Sequence, residues 1–151
     1  MAYTDYSFYT GTFYGDTLTE ENAAKWLERA SDYVDAITFH RTESAFPEVE
    51  AHAVKVKKAV CAIAEALYLI DVQRIATQAQ ADESGMIHAA IASMSSGRES
   101  ISYVQSSNGS VYAKAANDRT ERERLLGEIV VQYLAGIPDA TGVNLLYAGV
   151  D

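Results

Sequence analysis

Three histidines, one cysteine and a surplus of carboxylates are the residues of this chain with the widest chemical reach. His40, His52 and His88 fit no spacing that fixes a metal ion. Glu48 and His52 stand four apart, which on one helix face makes half of a carboxylate–histidine site. The sequence supplies no second half, and such pairs also arise on ordinary solvated helix faces. An enzyme built here would have to use Glu48, His52 and Asp71 as an acidic site that takes up a divalent metal. There is no G-x-S-x-G, no phosphate-cradling glycine loop and no Walker lysine. The serines and arginine of SSGRES, residues 95–100, lie in a turn sequence with no acid or base placed to activate them. No catalytic, cofactor-binding or metal-ligating residue is therefore assigned, and the chain is read as a non-enzyme. Cys61 is the lone cysteine, so no intramolecular disulfide is possible, and its place in an apolar run makes it a small core residue.

Charge narrows the partners. The chain has 21 Asp and Glu against 12 Lys and Arg, a formal net charge of -9, and an isoelectric point near 4.7. Proteins that grip nucleic acid do so with clustered Lys and Arg. An acidic wall instead repels phosphate, which suits a conduit whose cargo must slide, although acidity also simply keeps a protein soluble. Lys55, Lys57 and Lys58 form the only dense basic group. On a helix Lys57 points away from the other two, so this is a loose cluster that either pairs with a neighbouring copy or stays solvated. The ERER run at 121–124 serves solubility and local ion pairs. No apolar stretch approaches the roughly 20 residues that span a bilayer, and no basic segment leads into an apolar run at the N-terminus, so neither a membrane nor a secretory route is expected.

The element that must position everything else is the stretch from Pro47 to about Ala81, which holds no internal glycine or proline. Val49, Ala53, Val56, Val60, Ile63, Leu67 and Ile70 recur at spacings of four and three, the seam of a helix that packs lengthwise on other helices. Between Ala59 and Ile70 only Glu65 is charged, so the middle of this helix should be enclosed on several sides. Pro47 suits the first helical position, with Glu48 and Glu50 in the first turn. Unbroken, such a helix is about 50 Å long. In a single domain of this size one end protrudes or is covered by another subunit, unless the helix breaks near Thr77.

Around it the sequence predicts a mainly α fold: a small helical bundle about one long central helix, with a β-hairpin insertion and extended N- and C-terminal segments, all in a single domain over 1–151. Residues 1–18 hold six of the chain's fifteen aromatics. A segment so rich in aromatics lies down on something, either its own domain or a partner. Thr19 reads as the N-cap of a helix to about Ile37, with Ala23, Trp26, Leu27, Ala30, Val34 and Ile37 on one face. Ser96-Gly97-Arg98 turns a predicted hairpin, and SSNG at 106–109 is a second turn. Asp118 with Glu121 caps a third helix whose apolar face is Leu125, Leu126, Ile129, Val130, Tyr133 and Leu134, ended by Gly136 and Pro138. The tail, residues 139–151, is apolar and broken by Gly142 and Gly149. It docks either on its own core or on a partner. In the second case its removal would leave stability nearly unchanged.

The order of these segments carries a resemblance. ERASDYVDAITFHR, the long helix with AVCAIAEAL, SMSSGRESISY and TGVNLLYAGV together resemble, over nearly the whole chain, the small head-tail connector (adaptor) proteins of tailed bacteriophages and prophages. The tail departs from the usual TGLLYxGV pattern by two residues inserted after Gly142 and by Ala148 where a basic residue is frequent. The resemblance implies a non-enzymatic virion protein at the head-tail junction, made in the host bacterial cytoplasm. It implies about twelve copies in a ring under the portal protein, contact with the next neck or tail-completion protein, and DNA passing through without sequence-specific binding. Carried onto this chain, Gly142, Leu145, Leu146, Tyr147 and Gly149 become the portal-docking residues, and Ser96, Gly97, Arg98 and Glu99 the loop contacts. The competing expectation is a helical oligomeric interaction module, such as a regulator or chaperone, unrelated to virions.

Overall fold

The computed structural model describes residues 2–82 and 110–148, with side chains from 78 to 82 left aside. The expected hairpin, with Ser96, Gly97, Arg98 and Glu99, lies outside the described residues, as do His88 and Gly149. The described chain is mainly helical and has no strand. Its helices are α1 (Tyr6–Gly11), α2 (Glu20–Ile37), α3 (Arg41–Ser44), α4 (Glu50–Asp82), α5 (Val111–Asn117) and α6 (Arg119–Leu134). Contacts divide the chain into two compact units, Met1–Tyr68 with Leu126–Asp151, and Leu69–Leu125. No helix among the described residues is long and apolar enough to cross a membrane.

In the first unit α2 forms as its sequence dictates. Thr19 precedes it in extended conformation, and its N–H donates to the Asn22 side chain at 2.9 Å. Glu20 and Glu21 occupy the first turn, where they favour the positive end of the helix dipole. Ala23, Trp26, Leu27, Ala30, Ser31 and Val34 are buried. Trp26 meets Tyr68 edge to face with ring centroids 6.0 Å apart, while the cations of Lys25 and Arg29 lie 4.7 and 5.0 Å from the indole.

Along α4, Ala53, Val56, Val60, Ile63, Leu67 and Ile70 are buried as the seam requires, and Ala59, Cys61, Ala64 and Ala66 bury the flanks beside it. The helix continues through Thr77 to Asp82 without a break. Its start is different from the expected one. Pro47 is buried but not helical, and the first turn begins at Glu50, where the Ala53 N–H reaches the Val49 carbonyl at 2.9 Å. Val49 therefore leaves the seam and is 57% exposed. The displacement goes with a bond between distant segments: the Ala45 carbonyl is taken by the Ala140 N–H at 2.9 Å, which holds the chain before Pro47 in a loop.

The aromatic N-terminal segment lies on its own unit. Tyr9 of α1 is fully buried. Its hydroxyl donates to Glu65 Oε1 at 2.6 Å and accepts from the Thr17 and Leu18 N–H groups, each at 2.9 Å. Gly15 is required there, because a Cβ at that position would sit 2.2 Å from the Tyr9 ring. Tyr3 donates through its hydroxyl to Asp35, which also accepts from Thr42, and the Tyr3 ring stacks on Phe46 at 5.2 Å. Of the two destinations open to this segment, it takes its own domain.

In the second unit, Ser110 caps α5 by accepting from the Ala113 N–H at 3.1 Å. Asp118 interrupts the helix in extended conformation and accepts from the Thr120 N–H at 2.8 Å, starting α6.

Candidate interaction surface

The reversal after α2 builds the site. The Phe39 N–H donates to the Ala36 carbonyl at 3.3 Å and the His40 N–H to the Asp35 carbonyl at 2.7 Å. That pair of bonds is a Schellman ending, which demands a left-handed residue just past the cap, usually glycine. Here it is Phe39, at φ 56°, followed by His40 at φ 61°. Non-glycine residues in this region cost about 1–2 kcal/mol each. The strain is not offset by burial, since Phe39 is 57% exposed. The His40 ring meets Glu43, with Nδ1 and Oε2 3.0 Å apart, both side chains being well exposed.

Arg41 follows at the first position of α3 and faces the C-terminal segment. Its Nη1 donates to the Tyr147 carbonyl and, at 3.5 Å, to the Asn144 carbonyl. Its guanidinium lies 5.9 Å from the Phe39 ring and 5.6 Å from the Tyr147 ring. The hydrogen bonds use Nη1 alone, so the Nε and Nη2 donors point to no acceptor among the described residues. A guanidinium flanked by two exposed rings results, with Tyr147 45% exposed.

The tail is held to that position by a tight loop. Gly136, at φ 76°, ends α6. Pro138 and Asn144 then form an antiparallel bridge, flanked by the Asp139 N–H donating to Val143 at 2.7 Å and the Leu145 N–H to Ile137 at 2.9 Å. The buried carboxylate of Asp139 accepts from the Thr141 N–H at 2.8 Å, the Thr141 hydroxyl at 2.7 Å and the Val143 N–H at 3.0 Å. Burial alone would raise its pKa, but these bonds and the Arg41 charge outweigh burial and hold it below the ordinary value. The turn needs Gly142, whose φ is 90°.

Of the sequence-assigned docking residues, this arrangement separates two kinds. Leu145 is fully buried, so it anchors the tail within its own unit. Gly142 and Tyr147 are exposed, and Leu146 is half-buried. Sequence reasoning missed Phe39 and Arg41, which stand 106 residues and more from the ring they share with the tail.

The residues considered for chemistry do not converge. Glu48 precedes α4 and so does not share a helical turn with His52. Asp71 accepts from Arg74 at 2.6 Å. No group of three or more His, Cys, Asp or Glu among the described residues is arranged to hold a metal. Burial, with the Glu65 charge next in size, pushes the Cys61 thiol up to about 12, which keeps it protonated at neutral pH. No family model, characterised protein or solved structure matches the chain.

Proposed function

We propose that this chain is a structural virion protein: copies form a ring under a portal protein, join the phage head to the tail and line the passage used by DNA. The finer architecture in this reading is a small bundle around α4 with a hairpin insertion. The observation that carries the proposal is the tail. Leu145 and Asp139 fix its base to the subunit, while Tyr147 is left 45% exposed on a segment with no regular structure. A pre-fixed segment with an exposed aromatic loses less conformational freedom on docking than a free tail does.

Two further features support it. Helix α4, at 33 residues, is about 50 Å long, and beyond the buried seam Val72 and Ile75 are exposed on it. The net charge of -9 disfavours retention of DNA in a channel. Mixing the purified chain with the portal ring encoded by the same genome should give a particle of high cyclic symmetry by electron microscopy, with Gly142, Leu146 and Tyr147 at the contact. A portal ring that stays bare at micromolar subunit concentration refutes the assignment.

A further inference from the structure

From the geometry at the end of α2 we infer that Phe39, Arg41 and Tyr147 form a recognition clasp for a carboxylate on the partner protein. The inference rests on the connector reading for the partner's identity and adds the chemistry by which that partner is read. Three observations on one spot carry it. Arg41 gives one nitrogen to the Tyr147 and Asn144 carbonyls and leaves Nε and Nη2 as a pair of donors with no acceptor among the described residues. Such a pair matches the two oxygens of an Asp or Glu side chain. The rings of Phe39 and Tyr147 lie 5.9 and 5.6 Å from it and remain exposed, so an incoming acidic residue would find apolar surface beside the fork. Water excluded by those rings strengthens the charged pair.

The third observation is the backbone. A left-handed residue in a Schellman ending is ordinarily glycine, and a phenylalanine placed there is strained without gaining burial. The side chain thus sits beside Arg41 at a conformational cost. Nucleic acid is the less suitable occupant: the clasp offers a single cation on a chain of net charge -9.

Phe39→Gly and Arg41→Lys test this against the same portal ring. Glycine relieves the strained backbone, so the Phe39→Gly chain should melt at the same temperature as the unaltered chain or higher, yet bind the ring at least tenfold more weakly. Arg41→Lys keeps the charge but loses the fork, and should also weaken binding at least tenfold. Raising salt from 50 to 500 mM should weaken the unaltered chain more than either variant. If either variant binds within about threefold of the unaltered chain, the clasp is wrong and the connector reading stands. A lower melting temperature for Phe39→Gly would mean the ring serves the fold, and this too overturns the clasp. Displacement of the ring by a short DNA duplex would assign the fork to phosphate and overturn the carboxylate. If the unaltered chain fails to bind, the connector reading falls and the clasp with it.

Discussion

Replacing Tyr9 by phenylalanine should cost more stability than the loss of one oxygen suggests. The ring stays and no cavity forms, so the whole effect is polar. The hydroxyl makes three hydrogen bonds, to Glu65 Oε1 at 2.6 Å and from the N–H groups of Thr17 and Leu18 at 2.9 Å. Leu18 is buried, and its N–H has no route to water. A stranded buried donor costs about 1–3 kcal/mol, and a hydrogen bond to a charged group contributes about 1.5–3 kcal/mol. Thr17 is half-buried and recovers part of its bond from solvent, so about 3–4 kcal/mol is expected for Tyr9→Phe. Against a total of about 5–15 kcal/mol, at about 2–4 °C per kcal/mol for a chain of this length, the melting temperature should fall by about 10 °C. Urea unfolding followed by circular dichroism measures it, with the slope of free energy against urea unchanged. A loss below about 1 kcal/mol would mean that the hydroxyl does not tie the N-terminal segment to α4.

The same phenol sets an alkaline limit. Burial first, and the bond to Glu65 second, push Tyr9 up to about 12 from 10.0. A group whose folded pKa is raised binds its proton more tightly when folded. Its contribution is complete below pH 10 and is lost as the pH rises through about 12. Tyr3 is raised in the same direction, by burial and then by Asp35, and Cys61 by burial. Stability should therefore fall between pH 10 and 12, and Tyr9→Phe should make that fall shallower, with the Tyr3 and Cys61 parts remaining.

Four other outcomes follow from the same contacts. Gly15→Ala places a methyl 2.2 Å from a ring that its hydroxyl bonds hold in place, and should destabilise by about 2 kcal/mol in a thermal melt; an unchanged midpoint would show that the ring yields. Leu145→Ala should cost about 2–4 kcal/mol, because the side chain is fully buried, and deletion of residues 141–151 should lower the melting temperature further. A tail that served only a partner would leave both chains as stable as the original. Asp139→Asn should flatten the acid limb of the stability profile: the folded pKa is lowered from 3.8, so this group's contribution is present above that value and disappears as the pH drops through the folded one; identical acid limbs would place the loss elsewhere.

How much of this was legible depends on the range of each interaction. Helix α2 could be read to its last residue because cap, first-turn acids and apolar period are all local. The α4 seam was equally plain, yet its first turn was not. Pro47 is as compatible with a loop as with a first helical position, and what decides is the Ala140 N–H reaching the Ala45 carbonyl across 95 residues of chain. Helix α5 is hard to read in the sequence, since its cap, Ser110, follows directly on a turn sequence and the helix has only seven residues. Ser110 followed by VYAKAA was the available signal. The destination of the aromatic segment is not legible for a related reason: aromatics say that burial will happen, but the polar partners Glu65 and Asp35 that select the surface are scattered.

The clasp was hidden for a different physical cause. A Schellman ending is normally announced by glycine, and without one the TFHR segment gives no sign that two successive residues turn left-handed. The three non-glycine residues with positive φ among those described are Tyr14, Phe39 and His40, and all are exposed. Strain compensated by packing would be found in the core, where neighbours can force a conformation. Strain at these exposed residues is not forced by core packing among the described residues, and at position 39 a glycine would remove it while keeping both hydrogen bonds of the ending. In the clasp inferred above the ring has its use against a partner, and Arg41, held by carbonyls of the tail, is the group that would meet a negative charge there.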